Sequence, residues 1–127
     1  MKRDQRLRTP SDFRRAREQA LRGWPHPLLM LYLVSNELGH TRVGITVSSR
    51  VGNAVVRNRV RRRIREAMRA RLDRLLPGLD VLLIARPASA RADSAQLSDG
   101  LDRVLTRAGA TRLPSADVEA GRRHHSA

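Results

Sequence analysis

The sequence predicts a single α/β (α+β) domain in the order α-β-β-α-β-α, with helices covering a small mixed sheet. Three observations predict it. The chain has 127 residues, the length of one domain. Its hydrophobic content of 40% is enough for a modest core. Segments with apolar residues spaced by three and four alternate with short apolar or β-branched runs bounded by Pro, Gly and Asn.

Lys2 to Arg8 is a basic arm, part of an N-terminal segment (1–10) that precedes the domain proper. Thr9-Pro10-Ser11-Asp12 supplies helix-start chemistry, with Ser11 or Thr9 as the N-cap. A helix is expected from about Asp12 to Leu21, with Phe13, Ala16 and Ala20 on one side. Gly23-Trp24-Pro25 and Pro27 end it, because proline lacks an amide hydrogen and fixes φ. Leu28 to Val34 reads as a strand, and Asn36-Glu37-Leu38-Gly39 as a turn. The β-branched run Arg42 to Val47 reads as its hairpin partner.

Ser48 to Gly52 is polar and leads to Asn53, a good N-cap. From Ala54 to about Leu76 the pattern is helical, with Val56, Val60, Ile64, Ala67, Met68 and Leu75 as the stripe. Pro77-Gly78 stops it. Val81 to Ala85 is a buried strand between Asp80 and Arg86-Pro87. A last helix spans about Asp93 to Ala108, striped by Leu97, Leu101, Val104 and Leu105. The domain is thus 11–109, and the polar, aperiodic tail (110–127) is expected to be disordered. No internal repeat is present.

Charge says most about the partner. Lys and Arg total 26 against 12 Asp and Glu, a formal net charge of +14. Lys2 is the one lysine, which leaves 25 arginines. A GC-rich genome would also favour arginine, so the net charge is the safer observation. An excess this large points to a polyanion, and to nucleic acid before an anionic membrane. With no cysteine there is no disulfide, thiol nucleophile or Cys-based zinc site. The longest apolar run, Leu28 to Val34, is too short to cross a bilayer. No secretory h-region opens the chain, and Asp4, Asp12 and Glu18 argue against a transit peptide. A cytoplasmic protein is expected.

The informative segment is Val51 to Arg69. On an ideal helix Asn58, Arg61, Arg62, Arg65 and Arg69 share one broad face, with the apolar stripe on the remaining arc. The helix can therefore be pinned to a sheet while presenting guanidinium forks to phosphates. Arg57 and Arg59 lie in the first turn and a half, beside free backbone amides and the positive end of the helix dipole. A solvated charged face is the competing reading. Only Glu66 and Asp73 interrupt nine arginines between Ala54 and Leu76, so few intrahelical pairs can neutralise them. A polyanion partner explains that imbalance better.

The same segment carries a family resemblance. Val43-Gly-Ile-Thr-Val-Ser48, Val51-Gly-Asn-Ala-Val-Val-Arg-Asn-Arg59, Arg61-Arg62 and Arg65-Glu66 resemble the bacterial ribonuclease P protein component. Its Arg-Asn-Arg motif is matched by Arg57-Asn58-Arg59. Arg6-Leu7-Arg8, Asp12-Phe13, Leu31-Tyr32 and Asp80 to Arg86 extend the similarity over roughly 6–108. The resemblance implies a ribonucleoprotein whose large RNA holds the active site. That RNA cleaves the 5′ leader from precursor tRNA with magnesium (Mg2+), held mainly by the RNA. It also implies a left-handed βαβ crossover, where sequence alone suggests the commoner right-handed one.

By position, the resemblance assigns Arg57, Asn58, Arg59, Arg61, Arg62 and Arg65 to the catalytic RNA. It assigns Phe13, Arg14, Met30, Tyr32, Ser48 and Arg50 to a cleft for the leader, between the first helix and the sheet. Met30 and Tyr32 alternate onto one strand face, and an aromatic face can stack an unpaired base of any identity. For Phe13 and Tyr32, ordinary core packing is the competing reading. Two positions depart from the family pattern. Arg17 stands where a second aromatic is common, and Ser49-Arg50 where two basic residues are usual. Both bear on the strength of leader binding.

The partners implied are the catalytic RNA and precursor tRNA, with no membrane and no DNA. No catalytic residue of the protein itself is expected. His124-His125 lacks a Cys or a carboxylate cluster nearby and does not read as a metal site. A ribosomal-type RNA-binding or RNA-chaperone module is the alternative. A membrane-surface role would need an exposed apolar face with anchoring aromatics, which the Ala54–Leu76 segment lacks.

Overall fold

A computed structural model describes residues 1–111. Helix α1 (Pro10–Gln19) starts two residues earlier than the periodicity suggests, because Thr9 is the cap. Its hydroxyl oxygen accepts the Asp12 amide at 3.0 Å, and Pro10 opens the first turn. Helix α2 (Ala54–Arg69) is capped by Asn53, which accepts the Val56 amide at 3.0 Å. Helix α3 (Ser94–Ala108) opens on a reciprocal box between Asp93 and Gln96 and closes on Gly109 in the left-handed region, φ 68°.

The strands are β1 (Gly23–Pro25), β2 (Leu29–Ser35), β3 (Arg42–Thr46) and β4 (Leu79–Ala85), in the sheet order β1-β2-β4-β3. β4 pairs antiparallel with β2 and parallel with β3, and α2 links the two parallel strands. The expected β2–β3 hairpin therefore does not form. β4 stands between them and is the most continuously buried strand. Its Val81, Leu82 and Leu83 are all buried, a demand that only a central strand covered on both faces meets. Gly23-Trp24-Pro25, read as a helix breaker, is the edge strand β1, a position where proline is tolerated.

α2 also ends sooner than expected, at Arg69. The chain tightens into a 3₁₀ turn at Leu72–Arg74, and Leu75 is buried from outside the helix. Arg71 then clamps α2 to α3. Its guanidinium donates to both Asp102 oxygens at 2.7 and 3.0 Å and to the Ala67 carbonyl at 2.7 Å. The Arg71 bonds hold the Asp102 carboxyl below its ordinary pKa. Ala110 is buried, its carbonyl accepts the Leu76 amide, and Thr111 bridges to Leu75. The remainder of the expected tail, with His124 and His125, lies outside the described residues.

The strands' alternation splits the core in two. Leu29, Leu31, Val43, Val81 and Leu83 pack with Val60, Ile64 and Met68 of α2 and Leu97, Leu101 and Leu105 of α3. On the opposite face Leu7, Ala16 and Leu82 pack with Phe13, Tyr32 and Ile84. α1 lies on this second face. The arm is docked as well: the Leu7 amide donates to the Val43 carbonyl at 3.0 Å, and Arg6 bridges in parallel to Val43. Covering β3 in this way protects an otherwise open sheet edge.

At one end of the sheet the α1 face is closed by a buried polar network. Asp80, 3% exposed, accepts two bonds from Arg42 at 2.9 and 2.8 Å and one from Asn36 at 2.9 Å. These bonds raise the Arg42 pKa above its ordinary value. Asp12 of α1 lies 3.8 Å from the same guanidinium. Asp80→Ala would strand that cation, and is expected to cost about 3 kcal/mol in urea denaturation. A loss under about 1 kcal/mol would mean that Asp12 and water suffice to satisfy Arg42.

Candidate nucleic-acid interface

α2 divides its arginines between two tasks. Val60, Ile64, Ala67 and Met68 are buried against the sheet and α3, which fixes the rotation of the helix. Arg59 and Arg63 are thereby turned toward the 3₁₀ turn at Pro87–Arg91. Arg59 donates to the Ala90 carbonyl at 3.1 Å, and Arg63 to the Ala92 carbonyl at 2.7 Å. Arg57 reaches back to the Gly52 carbonyl at 3.3 Å. The Arg59 Nε is buried without a partner among the described residues.

The other group faces solvent. Asn58 is exposed and accepts a 3.0 Å bond from Arg61. Arg62 and Arg69 are exposed, and Arg65 is half-buried. Among the described residues the ion pairs involve Arg15, Arg42, Arg71 and Arg103, none of them within α2. Guanidinium groups at this spacing with no carboxylate to pair them suit a row of phosphates. Of the six residues assigned to RNA from the sequence, Asn58, Arg61, Arg62 and Arg65 share this surface. Arg59 is drawn onto a carbonyl oxygen, and Arg57 is half-buried beside its own helix start.

The second set gathers on the α1 face. Strand register aligns Tyr32, Leu82 and Gly44 in one row, and Met30, Ile84 and Thr46 in the next. α1 runs over the first row. A Cβ at Gly44 would lie 2.7 Å from Phe13 Cε1 and 2.6 Å from Leu7 Cδ1, so glycine is what lets both approach. The Arg17 guanidinium sits over the Tyr32 ring, 4.2 Å from its centroid. In the second row Met30, Ile84 and Thr46 are all half-buried.

That second row lies beside α1 on the same sheet face, where the leader groove is expected. Arg14 is exposed on α1, and Ser48 and Arg50 are exposed just past the end of β3. The Ser48 hydroxyl oxygen accepts the Arg50 amide at 3.3 Å, which shapes that loop. Phe13 and Tyr32 share one apolar cluster, and Met30 stands on the same strand face in the next row. Ile84 and Thr46 were missed. The run Val81 to Ala85 shows no alternation that would set Ile84 apart, and Thr46 stands out only once β3 is known to lie beside β4.

A cavity of about 290 Å³ lies between Arg65 of α2 and Phe13 of α1, under the N-terminal arm. Leu7, Phe13, Val43 and Ile45 line it together with Arg6, Arg8 and Arg65. The arginine face of α2 and the aromatic side of α1 therefore meet across a basic concavity. Among the described residues no cluster of three His, Cys, Asp or Glu could hold a metal ion, and no helix is long and apolar enough to cross a membrane.

A small α/β domain with unpaired arginines beside a groove containing aromatics belongs to the class of RNA-binding proteins. Comparison with known proteins narrows the class. The family model "Ribonuclease P" matches residues 1–109, and the chain belongs to that family. It is 44% identical over 108 residues to the ribonuclease P protein component of Herpetosiphon aurantiacus, covering 85% of this chain and 87% of that one. The Roseiflexus castenholzii component is 46% identical over 110 residues, covering 86% and 89%. Among solved structures, the Staphylococcus aureus RNase P protein superposes with a TM-score of 0.78 at 30% identity, covering 84% of this chain and 97% of that one. The Thermotoga maritima protein gives 0.72 at 25%, covering 80% and 96%.

The division of arginines is testable. Arg61→Ala and Arg65→Ala should each lower the slope of log affinity against log salt by about one, with little sequence dependence and no change in melting temperature. Arg59→Ala and Arg63→Ala should instead cost about 1–3 kcal/mol of stability each. Equal behaviour of the two pairs in both measurements would remove the distinction.

Proposed function

We propose that this chain is the protein subunit of ribonuclease P. It binds the catalytic RNA and the 5′ leader of precursor tRNA, and assists endonucleolytic removal of the leader to give the mature tRNA 5′ end. The observation that carries this reading is the basic cavity where Arg65 of α2, Arg6 and Arg8 of the arm and Phe13 of α1 come together. One surface suits the phosphates of a folded RNA, the other an unpaired strand. A protein holding both keeps the strand to be cut beside the RNA that cuts it.

Arg57, Asn58, Arg61, Arg62 and Arg65 take the catalytic RNA in this reading. Arg59 serves it from behind, by fixing the turn against which α2 rests. Phe13, Arg14, Met30, Tyr32, Ser48 and Arg50 take the leader. The reaction itself is carried by the RNA. Magnesium bound mainly by the RNA would supply metal-assisted hydrolysis there; the carboxylates of the described residues do not form a set that fits it. The protein's contribution is binding energy available only to a substrate that still has its leader. The compartment this implies is the cytoplasm.

The isolated protein should not cleave precursor tRNA, whereas adding it to the catalytic RNA at low magnesium should raise cleavage. Robust leader removal by RNA-free protein would falsify this. Tyr32→Ala should weaken binding of precursor tRNA to the holoenzyme by about 1–3 kcal/mol, leaving mature tRNA unaffected. Equal losses for both tRNAs would return Tyr32 to a packing role.

A further inference from the structure

Strand β1 stands behind two of the side chains assigned to the leader. Its register sets Gly23 beside Tyr32 and Pro25 beside Met30. A Cβ at Gly23 would lie 2.8 Å from Tyr32 Cε1 and 3.1 Å from Met30 Sδ, so the strand's backbone touches both side chains. With three residues, β1 has few ladder bonds of its own and leans on α3 across the opposite face of the sheet. Trp24 packs against the main core there, and the Arg107 guanidinium donates to the Pro25 carbonyl at 2.9 Å.

His26 fastens this arrangement at the turn from β1 to β2. Its amide donates to the Leu29 carbonyl at 2.8 Å, and its Nδ1 accepts the Leu28 amide at 3.0 Å. The second bond requires an unprotonated Nδ1. The half-buried ring lies on α3, where a Cβ at Gly100 would come within 2.8 Å of its Cε1. Glycine weakens a helix interior, and here its bare Cα is what admits the ring. A pocket of about 710 Å³, lined by His26, Pro27 and α3, opens beside this contact and lets a proton reach it.

The charges around the ring leave no room for another cation. Arg103, Arg107, Asp99 and Asp102 face it from α3, and Arg86 beyond β4 donates to the His26 carbonyl at 3.3 Å. β1 and β2 bring no charged residue. Asp99 is already paired with Arg103 at 2.8 Å, and Asp102 with Arg71 at 2.7 Å. Burial, followed by the Arg103 charge, holds the His26 pKa below its ordinary value against a smaller pull from Asp99.

We propose that His26 is a pH-sensitive latch: neutral, it holds β1 on α3, and protonated, it lets β1 loosen behind Tyr32 and Met30. Protonation takes the acceptor from the Leu28 amide and adds a cation among Arg86, Arg103 and Arg107. Because the folded pKa is depressed, the unfolded chain takes up the proton first. The stabilisation is therefore complete above about pH 6.5 and is lost as pH falls below it. The consequence for precursor tRNA rests on the leader-groove reading above.

The test follows the fluorescence of Trp24, the chain's one tryptophan, in the holoenzyme from about pH 8 to about pH 5. Precursor and mature tRNA are titrated over the same range. Asparagine can accept the amide two residues on and does not titrate, so His26→Asn keeps the turn without the switch. Wild type should show a Trp24 transition below about pH 6.5, with precursor affinity falling about three- to tenfold relative to mature tRNA, the worth of one hydrogen bond. His26→Asn should abolish both changes, and His40→Asn should keep both. Gly100→Ala, which expels the ring, should show the acid signature already at about pH 8. A transition that persists in His26→Asn, or is absent from wild type, overturns the latch, as does wild-type behaviour of Gly100→Ala. A Trp24 transition with a flat precursor-to-mature ratio overturns the coupling to the groove, provided that Tyr32→Ala still lowers that ratio at about pH 8. If Tyr32→Ala leaves the ratio unchanged too, the groove reading fails and the coupling with it.

Discussion

Gly44 carries no side chain, and Leu7 and Phe13 fill the space above it. That close approach seats both the N-terminal arm and α1 on the sheet, and the rest of the RNA-facing side follows from it. With Phe13 fixed at β3, the helix must cross the sheet with Ala16 against Leu82 and Arg17 above Tyr32. The groove floor is then whatever the next row of the sheet supplies, namely Met30, Ile84 and Thr46. A methyl group at position 44 would push against two side chains at once, and overpacking of that kind typically costs about 1–3 kcal/mol. The groove would widen before the fold failed.

Much of this was legible in the sequence because local rules and global packing agree. The apolar stripe of α2 stood out through its spacing, and Asn53 announced where the helix begins. The start expected near Asp93 held for α3 as well, through a box with Gln96 that the structure shows. The strand partnership was not legible. β2 and β3 are neighbours along the chain with a turn between them, which is all that a sequence can show of a hairpin. Their separation depends on a third strand, β4, whose need for cover on both faces outweighs proximity. The end of α2 was hidden for a similar reason. Leu75 fits the helical stripe, yet it reaches the core only after the helix has ended.

The site was legible as a set of residue types and not as a division of labour. Spacing placed Asn58, Arg61, Arg62 and Arg65 on one face, as found. Nothing in the Arg-Asn-Arg pattern distinguishes a guanidinium aimed at solvent from one bonded to a carbonyl oxygen. That depends on the turn at Pro87–Arg91, far along the chain, where Ala90 and Ala92 supply the acceptors. Arg17 likewise read as a missing aromatic until its position over Tyr32 was known. Uncompensated cations also repel one another in the free protein. Binding a polyanion relieves that repulsion, so RNA should raise the stability of the domain as well as occupy its surface.

The arginines bonded to carbonyl and carboxylate oxygens set a limit on drift in composition. Arg42 grips Asp80 with two parallel bonds, and Arg71 spans Asp102 and the Ala67 carbonyl at once. A lysine ammonium is a compact point charge and cannot reproduce a planar fork. A gene whose base composition moved toward AT could exchange arginine for lysine at Arg61 or Arg62 and keep the electrostatic attraction to phosphate. The same exchange at Arg42 or Arg71 would preserve the +14 charge and unfasten the framework. Two chains with the same net charge at neutral pH would therefore differ in how firmly they fold.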